Sequence, residues 1–321
     1  MSVSPRATTG ELAVNRAARP TGLAVRLRTS RDLPGIILVA PAILTLAALL
    51  GYPVVYNLWL GFHQKHAIQP VGTWVGLANY TYFLFGDQQF WDSFWLGLVY
   101  AIVTVVAQLV LGVAAALLLN EDFRGRLIVR GIALFPYMIP ITLSVIIWRW
   151  IFNNQYGIAN HLIVGTGITG RPPLWLGPDW IFWTLCMISV WTFFPFVLIS
   201  ILARLQTIPP ELYDAAKVDG AGAVGRFVHI TLPQIQTVLF IVILLRSVWM
   251  FTKFDIVWMW GGQSYGGLGE HVRILPMYTY HRIFGLFQAG EGAALANIMF
   301  FMLLFAAYFY FRYFQHDEAS V

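Results

Sequence analysis

Residues 211–234 read "ELYDAAKVDGAGAVGRFVHITLPQ", a stretch rich in alanine and glycine that carries three carboxylates and lies between two long apolar runs. The rest of the 321-residue chain is unlike it: 58% of all residues are hydrophobic, 11% are charged, and the mean hydropathy is +0.68. About a quarter of the residues of a soluble domain are charged, so this composition places the chain in a membrane. A hydrocarbon core about 30 Å thick takes roughly 20 apolar residues per helix. Six runs meet that length, at about 35–62, 93–119, 131–152, 180–204, 234–260 and 291–314. The expected fold is therefore all-α, a polytopic membrane protein with six transmembrane helices, an Arg-rich tail at 1–34, a loop at 205–233 and a short C-terminal tail at 317–321. The first run is longer than the apolar part of a secretory signal, and no small-residue cleavage site follows it, so it is expected to be retained.

The basic residues set the orientation. With the N-terminus inside, most of the 20 Lys and Arg fall on the cytoplasmic side, led by the tail (Arg6 to Arg31) and by Arg124, Arg126 and Arg130. Both termini are then cytoplasmic, and so is the quoted stretch. The net charge of +5 is accounted for by this topology and by anionic lipid headgroups, and it calls for no nucleic-acid partner. Cys186 is the single cysteine, which excludes an intrachain disulfide and a cysteine-based metal site.

Within the loop, Pro209 and Pro210 suit the first turn of a helix, and Glu211 and Asp214 place negative charge near its positive end. Asp219-Gly220 reads as the stop, with glycine taking the left-handed position. A second short helix is expected from about Ala221 to Ile230, ending before Pro233. Small residues at Ala215, Ala216, Ala221 and Ala223 permit close approach to another surface, while Tyr213, Val218 and Phe227 offer anchors. This is the composition of a docking element; the alternative is a solvated connector.

The order Pro-Glu-Leu-Tyr-Asp-Ala-Ala, then Asp219-Gly220-Ala221, then Phe227, Ile230, Leu232 and Pro233 resembles the "EAA" cytoplasmic loop of permease subunits in binding-protein-dependent ABC importers. Asp214 stands where the family name implies glutamate. "GLANY" (Gly76 to Tyr80), "LGVAAALLLN" (Leu111 to Asn120), "PYMIP" (Pro136 to Pro140) and "FDIVWMWGGQ" (Phe254 to Gln263) resemble landmarks of the maltose-type carbohydrate uptake group. "FWLGLVY" lacks the Asn-Thr pair often seen there. The resemblance implies a coupling helix seated in a cleft of a cytoplasmic ATPase, with Glu211, Asp214, Ala215, Ala216, Asp219, Gly220 and Ala221 as the coupling residues. It implies a homologous second permease, two copies of the ATPase, an extracytoplasmic solute-binding protein, and a prokaryotic inner membrane. Lys65, Lys217 and Lys253 are the only lysines and none follows a glycine, so the chain holds no phosphate-binding loop of the G-x-x-x-x-G-K type. No cofactor is expected on this chain; ATP and Mg belong to the partner ATPase.

Inside the membrane, Arg246 lies about halfway along the fifth run, where an arginine costs roughly 2.5–3.5 kcal/mol to insert and so faces protein or water. Trp249, Met250 and Lys253 follow at helical spacing and form one stripe with it. Two readings stand side by side: a water-filled substrate pathway with a stacking aromatic, or an arginine paired to a neighbouring helix or a partner subunit. Asp255 falls on another face as a structural partner. "WTFFPF" (Trp191 to Phe196) offers aromatic faces, with Trp191 and Phe194 as pathway candidates and packing as the alternative. A membrane enzyme is the rival class, because His63, His66, His161, His271 and His281 gather near the outer side. There is no H-E-x-x-H and no carboxylate pair beside them. A channel is a third class, but it gives no reason for a docking loop.

Overall fold

In the computed structural model of the chain, the structure describes residues 33–167, 173–262 and 267–318. The basic tail up to residue 32 and the last residues, 319–321, lie outside the described residues. The chain divides into two units, Met1–Tyr56 and Asn57–Val321. Among the described residues five helices are long and apolar enough to cross a membrane, and six if one sharply bent pair counts as a single span. They are Gly35–Leu60, Gln88–Asn120, the pair Arg126–Met138 and Ile141–Ile151, Ile181–Leu205, Ala223–Phe251 and Ala289–Tyr313. The last helix continues to Glu318.

Three boundaries differ from the sequence expectation, each for a stated reason. The third run, expected as one helix over 131–152, bends by 99° between its halves. Ile139 and Pro140 are both extended there, because a residue before proline is excluded from the helical region and Pro140 has no N–H to donate. The fifth run, expected over 234–260, begins earlier and ends at Phe251. Beyond it Thr252 donates its hydroxyl to the Val248 carbonyl, and buried Trp260 donates its indole N–H to the Ile181 carbonyl and to Thr184. Contacts to the fourth span thus hold what hydropathy alone reads as more helix. Finally, the short helix expected to stop before Pro233 runs straight on into the fifth span through a π turn at Phe227–Thr231. The first span has the same device, a π turn at Ala47–Gly51 just before Pro53. In both helices the wide turn falls where proline leaves a carbonyl without its usual donor.

In the Asn57–Val321 unit, the fourth span is the most buried and packs along the second. Gly112 makes that approach possible: a Cβ there would meet Val197 at 2.5 Å. A short antiparallel hairpin pairs His63 with Trp74 and Gln64 with Thr73. Asn57, Tyr80 and Asn297 form a hydrogen-bonded knot between the end of the first span and the sixth, with Asn57 Nδ2 donating to Asn297 Oδ1 at 2.7 Å.

Candidate functional site

The loop between the fourth and fifth spans is built as a helix, an elbow and a helix. Pro209 is extended, Pro210 opens the first helix, and Glu211 lies in its first turn, where the helix dipole favours a carboxylate. The helix Pro210–Val218 ends in a Schellman motif: the Gly220 N–H donates to the Lys217 carbonyl and the Ala221 N–H to the Ala216 carbonyl. Gly220 has φ +78°, and nothing lies within 4 Å of where its Cβ would be, so backbone conformation alone demands glycine.

None of the residues of this helix is buried. Tyr213 and Ala216 turn inward, and the Tyr213 hydroxyl meets the Thr231 hydroxyl at 3.0 Å. Glu211, Asp214, Ala215, Asp219 and Gly220 are exposed, and Ala221 is half-buried. Asp214 pairs with Lys217 at 2.9 Å on the open face. Val218 is 88% exposed and Val224 77% exposed, an unusual placement for valine in a short polar segment. The coupling residues named from sequence therefore gather on one projecting element with a mixed charged and apolar outer face.

A residue that sequence reasoning missed fixes the base of this element. Arg204, in the last turn of the fourth span, donates from Nε to the Gln234 carbonyl at 2.7 Å and from Nη2 to the Gln234 side-chain oxygen at 3.0 Å. A basic residue at a helix C-terminus was the available signal, but Gln234 lies 30 residues away and no spacing rule connects the two.

The mid-membrane arginine is enclosed by its own chain. Arg246 is 2% exposed and its Nε donates to Gln108 Oε1, on the second span, at 2.8 Å. Its guanidinium lies 5.0 Å from the Phe193 ring centre, 5.7 Å from Phe196 and 5.6 Å from Trp249. Gln108 is itself buried and points its amide at the Ser189 carbonyl and the Met250 sulfur. The residues of the expected stripe have different surroundings. Arg246 and Met250 are sealed in, Trp249 is 41% exposed, and Lys253 lies past the end of the helix at Phe251. Lys253 pairs with Asp255 at 3.1 Å and sits 4.4 Å from the Phe193 ring centre. The aromatic residues that enclose the arginine are Phe193 and Phe196. Trp191 instead meets Trp148 edge-on, and Phe194 packs among the fourth-span aliphatics.

At the opposite end, Asp87 caps the second span through the Gln89 N–H and pairs with Arg282 at 3.2 Å. Arg282 also pairs with Glu291 at 3.1 Å and donates from Nε to the Tyr278 hydroxyl, which in turn donates to Asp87. Burial, followed by the bond to Asp87, raises the Tyr278 pKa above the ordinary tyrosine value, so the phenol keeps its proton at neutral pH. The histidines do not assemble into a site. His63 is buried against Trp59, His66 bridges to Gln288, and among the described residues no group of three or more His, Cys, Asp or Glu is placed to hold a metal ion.

The comparisons agree with this architecture. Residues 108–317 match the family described as "Binding-protein-dependent transport system inner membrane component". The chain is 36% identical over 279 residues to the "Inner membrane ABC transporter permease protein YcjO" of Escherichia coli (strain K12), covering 86% of this chain and 92% of that one. It is 32% identical to the "Sulfoquinovosyl glycerol transport system permease protein SmoG" of Agrobacterium fabrum, covering 86% and 89%. To the "Trehalose/maltose transport system permease protein MalF" of Thermococcus litoralis it is also 32% identical, covering 84% and 90%. Among solved structures, a bacterial ABC transporter involved in the import of alginate superposes with TM-score 0.76 at 21% identity, covering 90% of this chain and 98% of that one, which is a likeness of fold. A chain of this length, with these spans and with a projecting helix between the fourth and fifth, belongs to the binding-protein-dependent ABC transporter permeases of the inner membrane.

Proposed function

We propose that this permease forms, with a homologous second subunit, the membrane pathway of an ATP-driven importer for a sugar or sugar-derived solute. ATP is hydrolysed by a pair of partner ATPases, one of which docks on the Pro210–Val218 helix, and the solute is delivered from outside by a binding protein. Both termini then lie in the cytoplasm. The observation that carries this reading is that helix itself. It buries none of its residues, it ends in a glycine stop that only a defined shape requires, and it shows valine and alanine to the surroundings. An apolar patch rimmed by charged residues suits an interaction site. The sugar class is supported by relatives named for sulfoquinovosyl glycerol and for trehalose and maltose.

In the pathway, Trp249 offers an exposed aromatic face, and Lys253 lies close by at the end of its helix. Arg246 acts one layer behind, holding Phe193, Phe196 and Trp249 in place by cation–π contact. Transport is alternating access between two packings of the spans. The test is uptake of labelled sugars into proteoliposomes holding both permeases and the ATPase, with binding protein outside and ATP inside. Sugar accumulation that needs all of these components is expected; movement of solute without the ATPase, or import of non-sugar solutes alone, overturns the proposal.

A further inference from the structure

The third span is interrupted at mid-depth. Its first half, Arg126–Met138, and its second, Ile141–Ile151, meet at 99° through the extended Ile139 and Pro140. The Tyr137 ring, one residue before the end of the first half, lies 6.4 Å from the ring of Phe196, near the middle of the fourth span Ile181–Leu205, and so fixes the depth. A helix that ends leaves its last carbonyls without intrahelical donors. Here the carbonyls of Tyr137 and Met138 receive no backbone N–H from elsewhere among the described residues. Hydrocarbon cannot hydrate them, so irregular backbone at this depth is either buried in protein or borders water. This chain does not bury it: Tyr137 is 43% and Met138 78% exposed.

Beside the break runs a row of aromatic rings. Phe196 stands 5.2 Å from Trp249, so Tyr137, Phe196 and Trp249 form a continuous series drawn from the third, fourth and fifth spans, exposed at both ends. A carbonyl only accepts hydrogen bonds, and a phenol both donates and accepts. An anion meets acceptors at the break where it needs donors. A cation would suit the carbonyls, but the Arg246 guanidinium already lies against two of the three rings, 5.7 Å from Phe196 and 5.6 Å from Trp249, and repels it. A neutral ring carrying several hydroxyls donates to the carbonyls, exchanges a hydrogen bond with the Tyr137 hydroxyl and lays its C–H face on the aromatic row. We infer that the break in the third span is a sugar-contact element, in which the Tyr137 side chain and the Tyr137 and Met138 carbonyls hold the solute. This extends the pathway from the fifth span to the third, and it rests on the reading of the chain as a sugar permease.

The test places single cysteines in a Cys186→Ala background of the permease–ATPase complex, held in lipid nanodiscs so that both membrane faces are open to a charged methanethiosulfonate. Met138→Cys reports on the break. Ile102→Cys, 54% exposed among apolar side chains midway along the second span, reports on lipid. The reagent attacks the thiolate, which forms in water and is suppressed in apolar surroundings, so Met138→Cys is expected to react about tenfold faster or more. Trehalose and maltose, used as probes, are expected to slow that reaction. The half-protecting sugar concentration should rise severalfold with Tyr137→Leu, and by less with Tyr137→Phe, which keeps the ring and removes only the hydroxyl. A rate at Met138→Cys no faster than at Ile102→Cys puts lipid or the second permease against the break and overturns the inference. Absence of protection by either sugar, or protection that neither Tyr137 variant weakens, overturns it too. Uptake by the full complex separates this contact from the transport reading. A complex that imports sugar while neither probe protects Met138→Cys removes the contact and leaves the sugar permease. One that is protected through Tyr137 but imports only non-sugar solutes removes the transport reading and leaves the contact.

Discussion

Arg204 and Gln234, 30 residues apart, are joined by two hydrogen bonds of 2.7 and 3.0 Å that close the base of the projecting loop. They tie the last turn of the fourth span to the fifth span at Gln234, and on the proposed function a push on the Pro210–Val218 helix is passed to both. Arg204→Met removes both bonds. A hydrogen bond to a charged group is worth about 1.5–3 kcal/mol, and this one is half-buried at the membrane edge. The expected outcome is severalfold less sugar imported per ATP hydrolysed by each assembled complex, measured in proteoliposomes; unchanged coupling would show that the clamp transmits nothing.

Gly220 and Gly222 offer a matched pair. Both have open space where a Cβ would go, but Gly220 is left-handed at φ +78° and Gly222 is ordinary at φ −68°. Gly220→Ala costs about 1–2 kcal/mol of backbone strain, enough to loosen the helix stop and weaken ATPase co-purification several-fold. Gly222→Ala should leave both co-purification and uptake as they were.

The Arg246–Gln108 bond distinguishes architecture from contact with solute. Gln108→Leu strands a buried guanidinium, and Arg246→Met strands a buried amide, so each is expected to lower membrane abundance, by a stability loss of about 1.5–3 kcal/mol. The double variant Arg246→Met, Gln108→Leu should recover part of it. Trp249→Ala acts differently: abundance holds, and uptake per assembled complex falls. Abundance by immunoblot and uptake by labelled solute, measured in parallel, separate the two patterns.

At the other end of the bundle, Arg282 neutralises two carboxylates at once. Arg282→Gln leaves Asp87 and Glu291 facing each other where Asp87 is nearly inaccessible. Breaking a buried ion pair in this way costs about 3–5 kcal/mol, and the expected result is a large drop in thermal stability of the purified complex. Tyr278→Phe removes the bond accepted from Arg282 and the bond donated to Asp87 but leaves both ion pairs, so it should cost less than Arg282→Gln. A fluorescence-detected melt compares the two; equal losses would show that the charge balance is not what holds this end.

The sequence disclosed what depends on short spacing. The Pro209-Pro210 start and the Asp219-Gly220 stop were legible because caps and left-handed glycine are local, and the spans because apolar length is local. What escaped depends on distant partners. The 99° bend at Ile139–Pro140 lies inside an unbroken apolar run, and hydropathy does not register the direction of a helix, although "PYMIP" held both prolines. The end of the fifth helix at Phe251 is set by Trp260 reaching Ile181 and Thr184, a contact 76 or more residues away. That Phe193 and Phe196 are the aromatics enclosing Arg246 depends on the rotation of the fourth span against the fifth, and an aromatic-rich segment reads alike from every side.

On the proposed function the Pro210–Val218 helix is the seat of the ATPase. Val218 is its most exposed large hydrophobic side chain, and Cys186 is the chain's single, buried cysteine. A photo-reactive probe on Val218→Cys, in a Cys186→Ala background and in the assembled complex, tests the claim in one step. A cross-link to the ATPase subunit is expected, with a yield that changes when ATP is bound. A complex that imports sugar with ATP yet gives no ATPase cross-link from Val218→Cys, in either nucleotide state, would contradict it.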